Sequence, residues 1–273
     1  MAHWLMALCL LATGAAYAGE AATQRVVSLG GSVTEIVYDL GQGDRLVAND
    51  ASSLYPAAAK LLPRVGYYRT VSLEGVVAQR PDLVLASENA GPPKTMARLQ
   101  DLGLAVVTVS DKPSIASLYQ RIEQVAQALG APEEGRKMVG EVRADVAAAQ
   151  AIPGQARRAL VLINRTGPFL GAGQGTAAAA VLELAGLDNV LGNQNGYKPV
   201  SAEGLAMLAP DMIIITEASA EASGGMEKFK HSAGVDTTPA AQQGRVLAMA
   251  DLLILGLGPR VGQAIRQLKE AAR

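Results

Sequence analysis

Residues 72–84 read SLEGVVAQRPDLV, and residues 201–213 read SAEGLAMLAPDMI. Each stretch predicts a short helix that a proline separates from a buried strand. A repeat this long exceeds the periods of roughly 20–50 residues that are typical of solenoids, so it predicts two related α/β units. Three pairs of residues share one spacing of 129 positions: Ser72 and Ser201, Glu74 and Glu203, and Pro81 and Pro210.

Short apolar segments alternate with amphipathic segments on either side of these two stretches. This alternation predicts mainly parallel sheets covered by helices. The predicted strands are Arg25–Leu29, Leu46–Ala48, Asp82–Ala86, Ala105–Val109, Arg158–Ile163, Met212–Thr216 and Arg245–Ala248. The predicted helices are Thr34–Leu40 with Ser32 as its N-cap, Ser72–Gln79, Thr95–Leu102, Ser114–Leu129, Thr176–Leu184, Ser201–Leu208, and Pro259–Ala271 with a proline in its first turn.

A long, alanine-rich and charged segment, Glu133–Ala151, separates the two halves. It is predicted to be a helix that bridges two lobes. The expected fold class is therefore α/β, with two similar lobes of mainly parallel sheet joined by a single long helix and a ligand cleft between the lobes. The expected domains are an N-terminal lobe over 24–130, the linking helix over 131–154 and a C-terminal lobe over 155–273.

The first eighteen residues have the pattern of a secretory signal peptide. An apolar run over Trp4–Ala12 is followed by Ala16-Tyr17-Ala18, an A-x-A cleavage pattern. The run is too short to span a bilayer as an ordinary transmembrane helix. Cleavage after Ala18 and export are expected, and an uncleaved anchor or a buried helix is the alternative.

The composition of the 273-residue chain excludes several classes of function. With 24 Lys and Arg against 25 Asp and Glu, the net charge of −1 gives no basic surface for nucleic acid. A single cysteine, Cys9, cannot form an internal disulfide, a cysteine-rich zinc site or an iron–sulfur cluster. The two histidines, His3 and His231, are too far apart in sequence to predict a histidine-based metal site.

One loop carries a candidate ligand for a metal. Gly66-Tyr67-Tyr68-Arg69-Thr70 precedes the Ser72 helix. In an extended segment Tyr67 and Arg69 share a face and Tyr68 points the opposite way. A trivalent metal and a neighbouring guanidinium both favour the phenolate form of tyrosine, which is a known axial ligand of haem iron. The alternative is an ordinary loop tyrosine that packs its ring, with a solvated Arg69.

Two matched carboxylates and one glycine-rich loop complete the candidate motifs. Glu74 and Glu203 lie in the first turns of equivalent helices, where they either complement the helix dipole or bind arginines of a two-fold symmetric partner.

The loop Gly171–Thr176 lacks the Gly-Lys-Ser/Thr ending of a phosphate loop and is predicted to be a turn into a helix. No G-x-S-x-G motif is present, and His231 is predicted to be a surface residue.

Together these motifs resemble those of the haem-binding periplasmic proteins of bacterial ABC importers, within the helix-linked (class III) substrate-binding family. The resemblance covers about residues 24–270. Besides the two Ser-x-Glu-Gly and Pro-Asp copies, it rests on Arg25–Leu29 followed by Val33–Ile36, on Leu40–Arg45, on Gly91-Pro92-Pro93 and on Leu255–Arg260.

The resemblance implies a periplasmic, non-enzymatic carrier that binds ferric haem as its transported ligand. It implies that Tyr67 ligates the iron with Arg69 beside it, and that Glu74 and Glu203 dock an inner-membrane ABC permease with its ATPase. It further implies a monomer and an outer-membrane haem receptor upstream. Some relatives add a histidine from the second lobe, whereas the corresponding stretch here, Asn164–Gly171, has none, so a single protein ligand is expected.

Several alternatives remain open at this stage. Tyr68 and Tyr197 are further candidates for the iron ligand, and Lys94 and Lys198 for binding the haem propionates. A carrier of a ferric siderophore or of cobalamin is the alternative within the binding class. A cytoplasmic α/β enzyme with a nucleotide cofactor is the alternative from another class, and the export signal and the incomplete glycine motifs disfavour it.

Overall fold

The computed structural model describes residues 24–164 and 168–273. The predicted signal peptide, residues 1–18, lies outside the described residues. Strands of the first half form a fully parallel sheet in the order β2-β1-β5-β6. These strands are β1 (Val26–Leu29), β2 (Leu46–Asn49), β5 (Leu83–Ser87) and β6 (Ala105–Val109). A separate antiparallel hairpin consists of β3 (Gly66–Tyr67) and β4 (Thr70–Val71).

The second half forms a sheet in the order β10-β8-β7-β11-β12, with β9 pairing to one end of β7. Strands β7, β11 and β12 are parallel, and β8 and β10 add an antiparallel edge. The mainly parallel α/β fold is thus confirmed. These strands are β7 (Arg158–Ile163), β8 (Leu170–Ala172), β9 (Asp188–Asn189), β10 (Tyr197–Pro199), β11 (Met212–Thr216) and β12 (Val246–Met249).

A twenty-residue helix, α5 (Pro132–Ala151), runs between the two sheets, as the sequence predicts. The limits of the lobes around it stay a prediction. Along residues 24–164 and 168–273, no helix is both long and apolar enough to cross a membrane. The other helices are α1 (Gly31–Asp39), α2 (Leu73–Ala78), α3 (Pro93–Asp101), α4 (Ile115–Leu129), α6 (Ala177–Leu184), α7 (Ala202–Leu208), α8 (Glu217–Ala222), α9 (Met226–Lys230), α10 (Pro239–Gln242), α11 (Asp251–Leu255) and α12 (Val261–Ala271).

The internal repeat is visible in the caps of α2 and α7. Ser72 and Ser201 each accept a hydrogen bond from the backbone N–H three residues ahead, at 3.0 and 3.1 Å. At the other end of these helices Arg80 and Ala209, again 129 positions apart, both have a positive φ. The two copies therefore share their backbone geometry and not only their residue pattern.

Alternate residues of the central strands enter different parts of the core, because successive side chains of a strand point to opposite faces. In β5, Leu83 and Leu85 join a cluster that also contains α4, α5 and α12, while Val84 and Ala86 join a second cluster on the other face. The first cluster includes Val161 of β7, so one continuous apolar core extends from the first sheet to the second around α5.

Two predicted helix starts are wrong. Helix α1 begins at Gly31, three residues before the predicted start, and its N-cap is Gly30. Ser32 therefore lies inside the helix, where its hydroxyl accepts a hydrogen bond from Arg121. Helix α12 begins at Val261 with Arg260 as its N-cap, so Pro259 precedes the helix.

Candidate functional site

The loops that follow the strands of the first sheet are tied together at its carboxyl edge. Ligands of open parallel sheets bind outside this edge. The Asp50 carboxylate accepts a hydrogen bond from the backbone N–H of Gly30 at 2.9 Å, which joins the loops after β2 and β1. The Ser87 hydroxyl donates to the Asp111 carboxylate at 2.6 Å, which joins the loops after β5 and β6.

The carboxyl edge of the second sheet faces this region. Leu252 lies after β12, and Gly31 lies after β1. The two residues are in close contact, since a Cβ placed on Gly31 would lie 2.6 Å from Leu252 Cδ1. The guanidinium of Arg121 donates to the carbonyl oxygen of Leu257 at 3.3 Å. The two lobes therefore meet with the ends of their parallel strands turned towards each other, which is the placement that a ligand between lobes requires.

The Tyr67 segment forms a tight hairpin at the carboxyl edge of the first sheet. Tyr67 pairs with Thr70, so the chain reverses at Tyr68 and Arg69. The Tyr67 and Tyr68 rings meet edge to face with their centroids 4.8 Å apart, and the Arg69 guanidinium carbon lies 5.0 Å from the centroid of the Tyr68 ring. The expected extended geometry, with Tyr68 on the opposite face, is thus wrong: Tyr68 contacts both of its neighbours.

The surroundings of the two phenols differ. Burial raises the pKa of Tyr68, and the charges of Tyr67 and Asp111 raise it further, while Arg69 opposes them. Tyr68 therefore keeps its proton at neutral pH and packs against the apolar cluster on this face of the sheet. Because a tyrosinate ligand needs an ionised oxygen, this environment disfavours Tyr68 as an iron ligand and leaves Tyr67 as the candidate.

Arg69 supplies a positive charge beside both phenols. Burial lowers the pKa of its guanidinium, but Tyr68 and Tyr67 raise it, and the net effect is an upward shift. The guanidinium therefore stays charged.

A buried arginine connects the loops of the first lobe with the second lobe. The Arg121 side chain is fully buried and forms an ion pair with Asp111 at 2.8 Å. Besides Leu257, it donates to the hydroxyl of Ser32 and to the carbonyl oxygen of Ser110. The Asp111 charge that raises the pKa of Tyr68 thus belongs to a polar network that reaches the contact between the lobes.

Glu74 and Glu203 are both exposed in the first turns of α2 and α7. The Ser72 hydroxyl donates to the Glu74 carboxylate at 3.3 Å. The backbone N–H of Glu203 itself, with a smaller contribution from the Ser201 hydroxyl, lowers the pKa of the Glu203 carboxyl. Each lobe therefore presents an equivalent solvent-facing carboxylate.

The remaining sequence candidates lie in different places. Lys94 is exposed in the first turn of α3, close to the loop that contacts the hairpin, and Tyr197 and Lys198 lie in β10 of the second sheet. His231 is exposed, as predicted. Within the described ranges no group of three or more His, Cys, Asp or Glu side chains could hold a metal ion. Residues 165–167 of the Asn164–Gly171 stretch lie outside these ranges.

Two surface grooves lie away from the hairpin. One, of about 570 Å³, runs between α1, α5 and α12 and is lined by Asp39, Glu141 and Arg266. The other, of about 450 Å³, follows the edge strand β12 and is lined by Leu247 and Gln267. Neither groove includes Tyr67, and both have mixed polar linings, so the candidate site rests on the geometry of the hairpin and its neighbouring loops.

Asp50 and Arg121 were not predicted from the sequence as residues of the candidate site. Asp50 has a sequence signal, since a polar Asn49-Asp50 pair directly follows a buried strand and hence lies at the carboxyl edge of the sheet. Arg121 has none, because it occupies the apolar face of an otherwise ordinary amphipathic helix. Only the fold brings it to Asp111 and Leu257.

A family model described as periplasmic binding protein matches residues 26–252. Among solved structures, the chain is similar to the periplasmic heme-binding protein RhuT from Roseiflexus sp. RS-1 in its apo form, with a TM-score of 0.86 and 36% identity over 91% of this chain and 97% of that one. It is also similar to the periplasmic heme-binding protein BhuT in complex with two hemes, with a TM-score of 0.84 and 37% identity over the same shares of the two chains.

Curated relatives point to a different ligand. The vitamin B12-binding protein of Photorhabdus laumondii is 29% identical over 82% of this chain and 80% of its own length. The similarity to known proteins therefore supports a binding protein of an ABC importer and does not distinguish haem from cobalamin or a ferric siderophore.

Proposed function

The chain belongs to the periplasmic binding protein family, and we propose that it is a periplasmic carrier of ferric haem that delivers its ligand to an inner-membrane ABC permease with its ATPase. Proteins of this family are transport components and not enzymes. The carrier binds and releases its ligand without chemical conversion. Residues 1–18 act as the export signal, and amino-terminal sequencing of the mature protein should begin at Gly19.

The observation that carries the haem assignment is the pairing of Tyr67 with Arg69 on the hairpin. The phenol lies at the carboxyl edge of the first sheet, next to a guanidinium that stays charged. Ferric iron is a hard cation and prefers an anionic oxygen ligand, and a tyrosine can supply one to haem. The similarity to two heme-binding proteins supports the same ligand.

The test is a titration of the purified protein with hemin. The wild type should shift the Soret band and show the visible absorption of ferric haem bound to a phenolate. Tyr67→Phe should lose these features and bind hemin at least about tenfold more weakly, which corresponds to one lost interaction of about 1.4 kcal/mol. Tyr68→Phe is the matched control and should keep the ligand absorption. A Tyr67→Phe protein with the wild-type spectrum and affinity would falsify the ligand assignment.

Cobalamin is the second candidate, because the curated relative from Photorhabdus laumondii is a vitamin B12-binding protein. A parallel titration with cyanocobalamin distinguishes the two ligands. Tight binding of cyanocobalamin together with no Soret shift on addition of hemin would favour the cobalamin carrier. Under that result Tyr67→Phe should have little effect, because the phenolate role is specific to a ligand that contains ferric iron.

Docking to the permease involves Glu74 and Glu203. Two equivalent exposed carboxylates, one per lobe, match two equivalent arginine sites on a two-fold symmetric partner. A Glu74→Ala, Glu203→Ala double variant should bind hemin normally and fail to stimulate the ATPase of the reconstituted importer. Glu221→Ala alters another exposed carboxylate and serves as the control. Unchanged transport by the double variant would exclude this docking role.

A further inference from the structure

Asp50 lies directly after β2 and is completely shielded from solvent. Its Oδ1 accepts hydrogen bonds from the backbone N–H of Gly30 at 2.9 Å and from the hydroxyl of Ser53 at 3.1 Å. Its Oδ2 accepts from the backbone N–H of Ser52 at 2.8 Å and of Tyr68 at 3.1 Å. A carboxylate has about four acceptor sites, so these four hydrogen bonds occupy every acceptor site of Asp50. It joins the loop after β1, its own loop and the hairpin.

The hairpin is held to this loop on both sides of Tyr67. The residue after Tyr67 donates its backbone N–H to Asp50. The residue before it, Gly66, accepts a hydrogen bond at its carbonyl oxygen from the backbone N–H of Ala51 at 2.7 Å. Asp50 and its neighbour therefore hold the peptide groups that flank the proposed iron ligand.

The hairpin needs such support because it belongs to neither large sheet. A lone two-stranded hairpin is only marginally stable in water. The carbonyl oxygen of Tyr68 accepts one further hydrogen bond, from Gly91 at 2.9 Å. The position of the Tyr67 backbone thus depends on a few hydrogen bonds from neighbouring loops, and a side chain makes the one from Asp50.

The second lobe has no such arrangement. The counterpart of β2 is β9, which pairs with β7 as β2 pairs with β1, and the residues that follow it, Val190 and Leu191, carry no carboxylate. The segment equivalent to the hairpin, Tyr197–Pro199, is instead a strand paired with β8. Sheet hydrogen bonds fix the segment in the second lobe, and a buried carboxylate fixes it in the first.

We propose that Asp50 is the positioning residue of the haem site, which sets the place and direction of the Tyr67 phenol by fixing the peptide group that follows it. Small displacements of a ligand weaken a metal bond strongly, so a site of this kind depends on the residues that hold its ligand. This proposal rests on the proposed function, with Tyr67 as the ligand.

The first experiment needs no ligand. Asp50→Asn keeps the size of the side chain but turns one accepting oxygen into an NH₂ group, which cannot accept from a backbone N–H. Amide hydrogen exchange over residues 66–70 should become at least about tenfold faster in this variant. Ser53→Ala is the matched control, because it removes another partner of the same carboxylate and leaves the bond to Tyr68. The asparagine amide can turn its remaining oxygen towards Tyr68, so Asp50→Ala, which removes every acceptor, is measured beside it. Unchanged exchange in both variants would show that Asp50 does not hold the hairpin, whatever the ligand is.

The second experiment is a double-mutant cycle in hemin affinity. Asp50→Asn should weaken hemin binding by about tenfold and reduce the phenolate absorption of the bound haem, because a hydrogen bond to a charged group is lost. In a Tyr67→Phe background the same change should alter the affinity by less than about twofold. An equal loss in both backgrounds would show that Asp50 does not act through Tyr67.

The outcomes separate this proposal from the proposed function. A wild type that does not bind hemin, or a Tyr67→Phe protein that binds it normally, would reject the haem site and with it this role of Asp50. The exchange data would still decide whether Asp50 clamps the hairpin. If Asp50→Asn does not fold, Asp50→Ser is measured in the same two ways and with the same expected losses, because its single, shorter-reaching hydroxyl cannot replace the two carboxylate oxygens.

Discussion

Replacing Arg260 with methionine should destabilise the protein in a way that depends on pH. The Arg260 guanidinium forms two hydrogen bonds to the Glu35 carboxylate, at 2.8 and 3.2 Å, and joins the start of α12 to α1. The Glu35 side chain is only 1% exposed, whereas that of Arg260 is 21% exposed. Removing one partner of a buried pair costs about 3–5 kcal/mol, because it leaves a buried charge without compensation. We expect a loss of stability at the lower end of this range, because Arg260 retains some solvent contact.

The pKa of Glu35 determines in which direction the loss of stability changes with pH. Burial raises the pKa of this carboxyl, and Arg260 opposes that rise. In Arg260→Met the folded-state pKa therefore moves further above the unfolded value of about 4.3. A folded state that binds the proton more tightly loses stability as the pH rises from the unfolded pKa through the folded one. The loss should be largest near about pH 8 and smallest near about pH 4.5.

Thermal melts of the two proteins at these two pH values measure the effect. A loss of about 3 kcal/mol corresponds to a fall in Tm of about 6–12 °C for a chain of this size. Arg260 also stacks on the Tyr55 ring, 3.5 Å from its centroid, and the loss of that contact should be the same at both pH values.

Arg266→Met is the matched control, because Arg266 forms a similar bidentate pair with Asp145 whose side chains are 40% and 42% exposed. It should cost less than about 1 kcal/mol at either pH. Equal losses in the two variants, or a loss in Arg260→Met that does not change with pH, would refute the reasoning.

Two further predictions concern α1 and α5. Partial burial and the charge of Glu35 raise the pKa of Asp39 to about 6. Its contribution to stability therefore falls as the pH rises through about 6. In denaturant titrations Asp39→Asn should be more stable than the wild type near about pH 8 and equally stable near about pH 4. The gain should be less than about 1 kcal/mol, because the partly buried side chain keeps contact with solvent. In α5, Gly140→Ala meets no neighbour and should stabilise by about 0.5–1 kcal/mol, whereas Gly135→Ala places its Cβ 2.4 Å from that of Ala126 and should destabilise by about 1–3 kcal/mol in thermal melts.

The regular elements could be predicted because their residue patterns are local. Met212–Thr216 is a strand with the predicted limits, and α4 ends at Leu129 before Gly130, whose φ of +75° favours glycine. The repeat of Ser72 at Ser201 also predicted equivalent helices, and both form, each with its serine as the N-cap. These features depend on neighbours within a few residues along the chain.

The site was predicted less well because its geometry depends on distant contacts. Tyr67 and Arg69 were identified, but the turn between them was not, since the hairpin is held by Asp50 and Gly91 and carries no glycine in its turn. Ser32 was expected to cap α1, and it contacts Arg121, 89 residues away. Sequence spacing alone does not bring such pairs together.

The two lobes have kept some of their duplicated features and lost others. The caps that present Glu74 and Glu203 are equivalent in both, which suits a partner with two equivalent sites. The Tyr67 hairpin has no counterpart, because the equivalent segment forms β10 of the second sheet. The proposed docking surface is therefore symmetric while the proposed ligand site belongs to the first lobe.

The continuous core around α5 limits how the lobes can move. Apolar residues of both sheets pack into one cluster with α4, α5 and α12, and rotating one sheet against the other would break close-packed contacts. The polar contacts of Arg121 with Leu257 and of Arg260 with Glu35 cross the same boundary. We therefore expect release of the ligand to need only a small displacement of the loops at the facing strand ends, which a permease that binds both lobes could produce by a slight change in the distance between its two docking sites.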